Sequence, residues 1–222
     1  MPTIVSIQIG QPRTYAYDGS ADGKNRMWTT AFFKTPVAGS VRVGALGIEG
    51  DEQADRKNHG GLDKAVLAYS ADHYPYWREH LSLPDMPLGG FGENLTIAGS
   101  EESTVCIGDR WQAGGVVFEI SQPRQPCWKM ARRWQIIDLP KQVIQNGRSG
   151  WYLRVLQEVE LTAGTAIELT SRPRPTWTIA RASKLLYHEP DNVAGMEELA
   201  NLPELSRAWR EELLERISRR AL

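Results

Sequence analysis

The chain has 222 residues, 41% of them hydrophobic and 24% charged, with a formal net charge of −1 at pH 7. These proportions describe a soluble globular protein of one large domain, or one domain with an appendage, and give no global attraction to nucleic acid or to an anionic membrane. Two cysteines rule out a disulfide framework and an all-cysteine zinc or iron–sulfur site.

Near the amino end, IVSIQI (Ile4–Ile9) is short, β-branched and bounded by Gly10 and Pro12, the pattern of a buried strand. The opening MPTIVSIQIGQPR lacks the basic start and long apolar run of a signal peptide, and no apolar run nears the roughly 18–20 residues that span a bilayer. The expectation is a cytoplasmic protein with reduced thiols. Met27–Lys34, Val41–Leu46 and Ala65–Tyr69 read as further strands, and Ser70 is placed to cap a helix over Ala71–Leu81. Leu95–Ala98, Val116–Gln122, Trp151–Glu158 and Thr165–Leu169 continue the series. Many short strands at this spacing favour a barrel or sandwich over alternating βαβ units.

After Thr170 the text changes. SRPRPTW (Ser171–Trp177) is a stiff, extended connector. Thr178 is placed to cap a helix to about Tyr187, Asp191 another to about Ala200, and a third runs from about Pro203 to Arg220. In the last, Leu205, Trp209, Leu213 and Ile217 recur every four residues as one apolar stripe. Glu212–Arg216 and Glu215–Arg219 add i,i+4 pairs worth roughly 0.2–0.5 kcal/mol each. The predicted architecture is a mainly β domain over residues 1–171 with a small three-helix unit over 172–222.

Chemistry concentrates in a few stretches. In QPRQPCWKM, Cys127 follows Pro126 and stands between the cations Arg124 and Lys129, at the start of a segment with helical character. A thiolate is both nucleophile and soft-metal ligand, and cationic neighbours favour it; a buried, inert thiol is the alternative. Cys106 lies in an apolar run and reads as buried. GDEQADRKNHGGLDK (Gly50–Lys64) gathers Asp51, Asp55, Arg56, His59, Asp63 and Lys64 around the paired glycines Gly60 and Gly61, which permit close backbone approach to a ligand. The other histidines, His73, His80 and His188, make no metal-ligand spacing with His59. In LGGFGENLTIAG three glycines precede Glu93 and Asn94; no helix follows, so the stretch is not a dinucleotide fingerprint, although its N–H groups suit an anion. Lys34 and Thr35 sit beside another turn.

Taken in order, Lys34-Thr-Pro-Val, Gly47-Ile-Glu-Gly-Asp51, His59-Gly-Gly-Leu-Asp-Lys-Ala-Val, Gly92-Glu-Asn-Leu95 and Arg124-Gln-Pro-Cys127 resemble MOSC domains, named after the C-terminal domain of molybdenum cofactor sulfurase. The match covers roughly residues 1–170, and the helical tail resembles that of the YiiM-like branch. The resemblance implies a MOSC-type β-barrel that binds a molybdopterin-type molybdenum cofactor, with Cys127 as protein ligand to the metal. It implies reduction of N-hydroxylated compounds, base analogues such as 6-hydroxylaminopurine among them, with electrons from a separate flavoprotein reductase. On this reading Lys34, Thr35, Arg56, His59, Gly60, Gly61, Lys64, Gly92, Asn94 and Arg124 join Cys127 in holding the cofactor, and Glu93 and Asp51 are candidate acids. Two cysteines leave no room for a fused ferredoxin-like cluster. The tail is expected to serve as a docking or homodimer surface, or to cover a barrel edge. Two other readings stay open here: a non-catalytic cofactor carrier, and a metal-independent thiol enzyme with His59 as base to Cys127.

Overall fold

In the first strand, β1 (Thr3–Ile9), Ile4 and Ile7 are both buried, although an odd spacing puts them on opposite faces of a regular strand. A register shift between Ile4 and Ser6 against the neighbouring strand lets them share the inner face. The computed structural model describes residues 1–17, 26–55 and 59–220. A hairpin of β2 (Arg13–Tyr17) and β3 (Arg26–Thr30) follows, then the short β4 (Thr35–Pro36), β5 (Ser40–Gly44) and β6 (Gly47–Ile48). The wholly buried β7 (Val66–Ser70) leads through α1 (Tyr74–His80) to β8 (Leu95–Ala98), β9 (Arg110–Ala113) and β10 (Val116–Pro123). Next come α2 (Trp128–Trp134), α3 (Leu139–Asn146), β11 (Trp151–Gln157), β12 (Val159–Thr162) and β13 (Ile167–Ser171).

The main sheet has eight strands in the order β13-β9-β10-β11-β7-β8-β1-β4. Its strands pair antiparallel except β7 with β8, a parallel pair whose required crossover is supplied by α1. The sheet curls until β1 meets the entry to β13: Ile4 N donates to Thr165 O at 3.0 Å and Ile167 N to Pro2 O at 2.8 Å. This seam covers part of the edge that would otherwise invite strand addition, and gives the predicted barrel as a curled, half-barrel sheet. Val66, Ala68, Leu95, Ile97, Phe118 and Leu153 fill it, with Trp111 edge-on to Trp151 at 5.9 Å; burying each large side chain contributes about 1.5–3 kcal/mol. The small sheet β12-β5-β6 joins the same core through Val43, Ile48 and Leu161. A second cluster, including Tyr69, Tyr74, Trp77, Phe91 and Met130, lies beside α1, α2 and α3.

Some elements differ from expectation for local reasons. The run Met27–Lys34 leaves the sheet at Thr30, whose Oγ1 accepts from Phe32 N at 3.1 Å while Phe32 O accepts from Lys34 N at 3.1 Å; side-chain and turn bonds here replace ladder bonds. The expected helix Ala71–Leu81 opens as a 3-10 turn, Ala71–His73, under a Ser70 cap. Beyond the barrel, α4 (Ile179–His188) is capped by Thr178 as expected. Asn192, not Asp191, caps α5 (Val193–Ala200), and α6 (Arg207–Ser218) begins at Ser206 rather than near Pro203. Each of these caps accepts a backbone N–H three residues on. Ile179, Leu185, Leu199, Trp209 and Leu213 belong to the same hydrophobic cluster as the barrel interior, so the tail buries its stripes on the barrel as well as on itself. No helix among the described residues is long and apolar enough to cross a membrane.

Candidate functional site

β10 delivers Arg124 and Cys127 to a cleft. Arg124 N donates to Gly150 O at 3.0 Å, prolonging the strand's pairing, and the extended Cys127 (φ −120°, ψ 163°) precedes the first turn of α2. The cleft is open at its mouth, with about 600 Å³ of empty space when the solvent at that mouth is included. Its walls come from segments far apart in sequence: the Ala31–Lys34 turn, the Asp51–Ala54 loop, the His59–Lys64 loop, β7, the Gly92 turn, β11 and α2. Second contacts hold these loops. Arg133 of α2 donates to Phe32 O at 2.9 Å and to Gly89 O at 3.0 Å. Asn94 accepts from Leu67 N at 3.1 Å and donates to Asp51 Oδ2 at 2.9 Å.

The charges divide into two sets. Lys34 is paired with Asp51, and both side chains are buried. Asp51 also accepts from Gly10 N at 2.7 Å. Burial pushes the Lys34 ammonium below its ordinary range, against the opposing pull of Asp51. The second set surrounds Cys127. Arg124 is only 3% exposed and donates to two backbone carbonyls, Phe91 O at 2.9 Å and Ser149 O at 3.5 Å; among the described residues it has no carboxylate partner. Lys129 is 8% exposed and likewise pairs with no acid among the described residues. Buried cations without acids carry a standing desolvation cost, which an anionic ligand relieves.

His59 shares this environment. Burial first, then the positive charges of Lys129, Arg124 and Lys64, hold its imidazole down to about 4 against the pull of Asp55. At neutral pH the ring is therefore uncharged, one nitrogen a donor and the other an acceptor. Between the unfolded value of 6.5 and about 4 the unfolded chain binds the additional proton, so stability present above pH 6.5 is lost as pH falls toward 4. His59→Gln is expected to flatten that part of a plot of melting temperature against pH and to leave the neutral end unchanged. An equal acid decline in both proteins would assign it elsewhere.

Lys34, Asp51, His59, Gly60, Lys64, Gly92, Asn94, Arg124 and Cys127 all reach the cleft wall. Thr35 does not: it is exposed on β4, paired with Ile9. Gly61 (φ +84°) provides the backbone turn beside Gly60 without lining the wall. Arg56 lies outside the described residues. Glu93 is fully buried behind the wall, its oxygens accepting from Tyr74 Oη at 2.5 Å, Gly89 N at 2.8 Å, Thr96 Oγ1 at 2.9 Å and Phe91 N at 3.1 Å. Every one of those bonds ties down the turn that carries Gly92, where a Cβ would come within 2.7 Å of the Phe32 ring. Among the wall residues that sequence reasoning does not mark as binders are Lys129, visible only as a neighbour of Cys127, and Tyr152, whose phenol burial pushes up to about 12. Strand alternation carries the signal for Tyr152, since Trp151 beside it points into the barrel.

A family model described as "MOSC domain" matches residues 55–168, and one described as "YiiM-like, 3-alpha helix domain" matches residues 177–220. YflK of Bacillus subtilis is 38% identical over 98% of this chain and 95% of its own length. A protein of Gibberella moniliformis named "Reductase" is 36% identical over 79% of this chain, which spans 32% of that longer protein. The crystal structure of YiiM from Geobacillus stearothermophilus superposes with a TM-score of 0.82 at 40% identity, covering 98% of this chain and all of that one. With its curled barrel sheet, its cleft at the end of β10 and its helical tail, the chain belongs to the MOSC-domain family, in the YiiM-like branch that carries a C-terminal three-helix domain.

Proposed function

We propose that the cleft holds a molybdopterin-type molybdenum cofactor with Cys127 as the protein's ligand, and that the loaded protein reduces N-hydroxylated compounds, purine base analogues such as 6-hydroxylaminopurine among them. The observation that carries this reading is the convergence of two buried cations without acidic partners among the described residues, Arg124 and Lys129, with a half-buried thiol in one cleft. The name of the fungal relative supports a reductive activity. The donor set fits the group. A thiolate suits a soft, sulfur-rich metal centre, and guanidinium and ammonium groups suit a phosphate.

When bound, such a cofactor supplies the two electrons that, with two protons, convert an N–OH group to N–H and water. The chain's own residues bind, orient and manage protons. Arg124 and Lys129 offset the anionic end, and the Gly60 turn adds backbone donors; the N–H groups of Gly89, Gly90, Phe91 and Gly92 are already bonded within the protein and hold that turn's shape. His59, uncharged, orders the ligand through one ring nitrogen. Lys34 Nζ, shared with Asp51 Oδ1, presents an ionisable proton on the cleft wall. Glu93 supports the Gly92 turn. Electrons arrive from a separate flavoprotein reductase.

Molybdenum and released pterin, measured on gently isolated protein, test the reading together with turnover of 6-hydroxylaminopurine by a reconstituted electron donor. Wild type is expected to carry molybdenum and Cys127→Ala to lose it and turnover together, at a stability cost of less than about 1 kcal/mol for this half-buried site. Equal loading in both would remove the ligand role of Cys127. Full loading without turnover would make the protein a carrier. A metal-independent activity would point to a thiol enzyme, although no hydrogen bond joins His59 to Cys127 among the described residues.

A further inference from the structure

Asp63 precedes Lys64 on the loop that brings His59 and Gly60 to the cleft, yet its side chain turns away from the wall. Oδ1 accepts from Arg154 Nε of β11 at 2.7 Å, and Oδ2 accepts from the backbone N–H of Arg207, the first residue of α6, at 2.9 Å. The Asp63 carbonyl accepts from Ser121 Oγ of β10 at 2.6 Å. The same partners are tied to each other. Arg154 Nη1 donates to Glu204 O at 2.6 Å and to Glu119 Oε1 at 3.0 Å, and the N–H of Ser206, the cap of α6, donates to Ser121 O at 3.0 Å.

We propose that Asp63 is a positioning residue through which the C-terminal helical unit sets the cationic wall of the cleft. The start of α6 and Arg154 fix the Asp63 carboxylate, and Asp63 fixes the loop bearing His59, Gly60 and Lys64. The loop needs an outside anchor. Gly60 and Gly61 stand at φ +85° and +84°, and glycine gives up more conformational freedom on ordering than any other residue. The single 3-10 turn Leu62–Lys64 is too short to hold itself, and Leu62, 63% exposed, supplies no apolar grip. A carboxylate at the first N–H of a helix also meets the favourable end of its dipole. The functional consequence, correct presentation of Lys64 and His59 to an anionic cofactor, rests on the proposed function; the positioning itself does not.

The test uses the full, cofactor-free chain. Amide hydrogen exchange over Gly61–Ala65, the NMR titration of the His59 ring and affinity for inorganic phosphate are compared in wild type, Asp63→Ala, Asp63→Asn and the control Arg172→Ala. The control breaks the Arg172–Asp109 pair, 2.7 Å, at the connector without touching the loop. Asp63→Ala is expected to speed exchange across the loop, to return the His59 midpoint toward 6.5 and to weaken phosphate about tenfold, the usual cost of removing a supporting partner. Asp63→Asn, which retains an acceptor for Arg207 N, falls between, and carries the comparison if the alanine variant does not fold. Arg172→Ala lowers the melting temperature but leaves all three readouts in place. Wild-type exchange and His59 titration in the Asp63 variants, or equal shifts in the control, would overturn the proposal. Faster exchange and a shifted His59 midpoint in a protein that binds no phosphate in any form would uphold the positioning and count against the cofactor reading instead.

Discussion

Arg124→Met is expected to leave the empty protein close to wild type in thermal stability while cutting its affinity for inorganic phosphate or sulfate by roughly 10- to 100-fold. The two effects have one cause. Taking a guanidinium out of water costs several kcal/mol, and what Arg124 receives in return within the protein is two carbonyl acceptors, Phe91 O and Ser149 O, the second at a long 3.5 Å. Losing those bonds leaves two buried carbonyl oxygens without this donor, about 1–3 kcal/mol each, comparable with what the charge costs to bury, and methionine refills most of the space. Against an anion, the same guanidinium contributes charge-assisted hydrogen bonds of about 1.5–3 kcal/mol. Calorimetric titration with the anion and thermal melts with and without it measure both, since ligand-linked stabilisation disappears along with affinity. A melting temperature that drops by several degrees with anion affinity intact would make Arg124 a strut for the Phe91 and Ser149 segments.

Glu93→Ala is expected to be the most damaging single change to stability, by about 3–5 kcal/mol, the range for stripping the partner from buried polar groups and leaving a void. Glu93 is 0% exposed and its two oxygens serve four donors, among them the backbone N–H groups of Gly89 and Phe91. Alanine orphans both and frees the hydroxyls of Tyr74 and Thr96. For a chain of this length the loss corresponds to on the order of 10 °C in melting temperature. Glu93→Gln keeps the shape and one acceptor oxygen but turns its amide NH2, itself a donor, toward some of the donors Glu93 serves, so a smaller loss is expected. Urea unfolding midpoints rank the three proteins. If Glu93→Ala instead unfolds like wild type and loses only turnover, Glu93 is an acid of the reaction after all.

These two residues also show what is legible in a sequence. Glu93 and Arg124 both announce themselves as charged groups beside glycine and proline, but what each does depends on what the fold brings against it. Lys34 and Arg124 look alike as isolated cations; the fold pairs Lys34 with Asp51 and leaves Arg124 among carbonyls. The strand runs were readable because β-branched and aromatic residues lie between glycines and prolines, and α6 because its apolar residues recur every four positions. The four-residue strands β9 and β12 were not, since RWQA and VELT each contribute only one or two inward side chains. Helix α3 is not legible either: LPKQVIQN buries only Leu139 and Val143, too short a stripe to stand out. Thr35 sits in the right motif yet faces outward, because β4 spends its two residues pairing with β1. Burial and partnership are tertiary facts that composition does not carry.

The barrel's seam has a consequence for how the protein is made. Ile4 is zipped to Thr165, and Pro2 to Ile167, so β1 waits through translation of almost the whole barrel before its last neighbour exists. Until then its unsatisfied backbone, with the hydrocarbon of Ile4 and Ile7 behind it, is a sticky surface on a nascent chain. Ring closure between such distant segments is slow because the intervening loop entropy is lost before contacts compensate it, and that interval is when misassembly between neighbouring chains competes with folding.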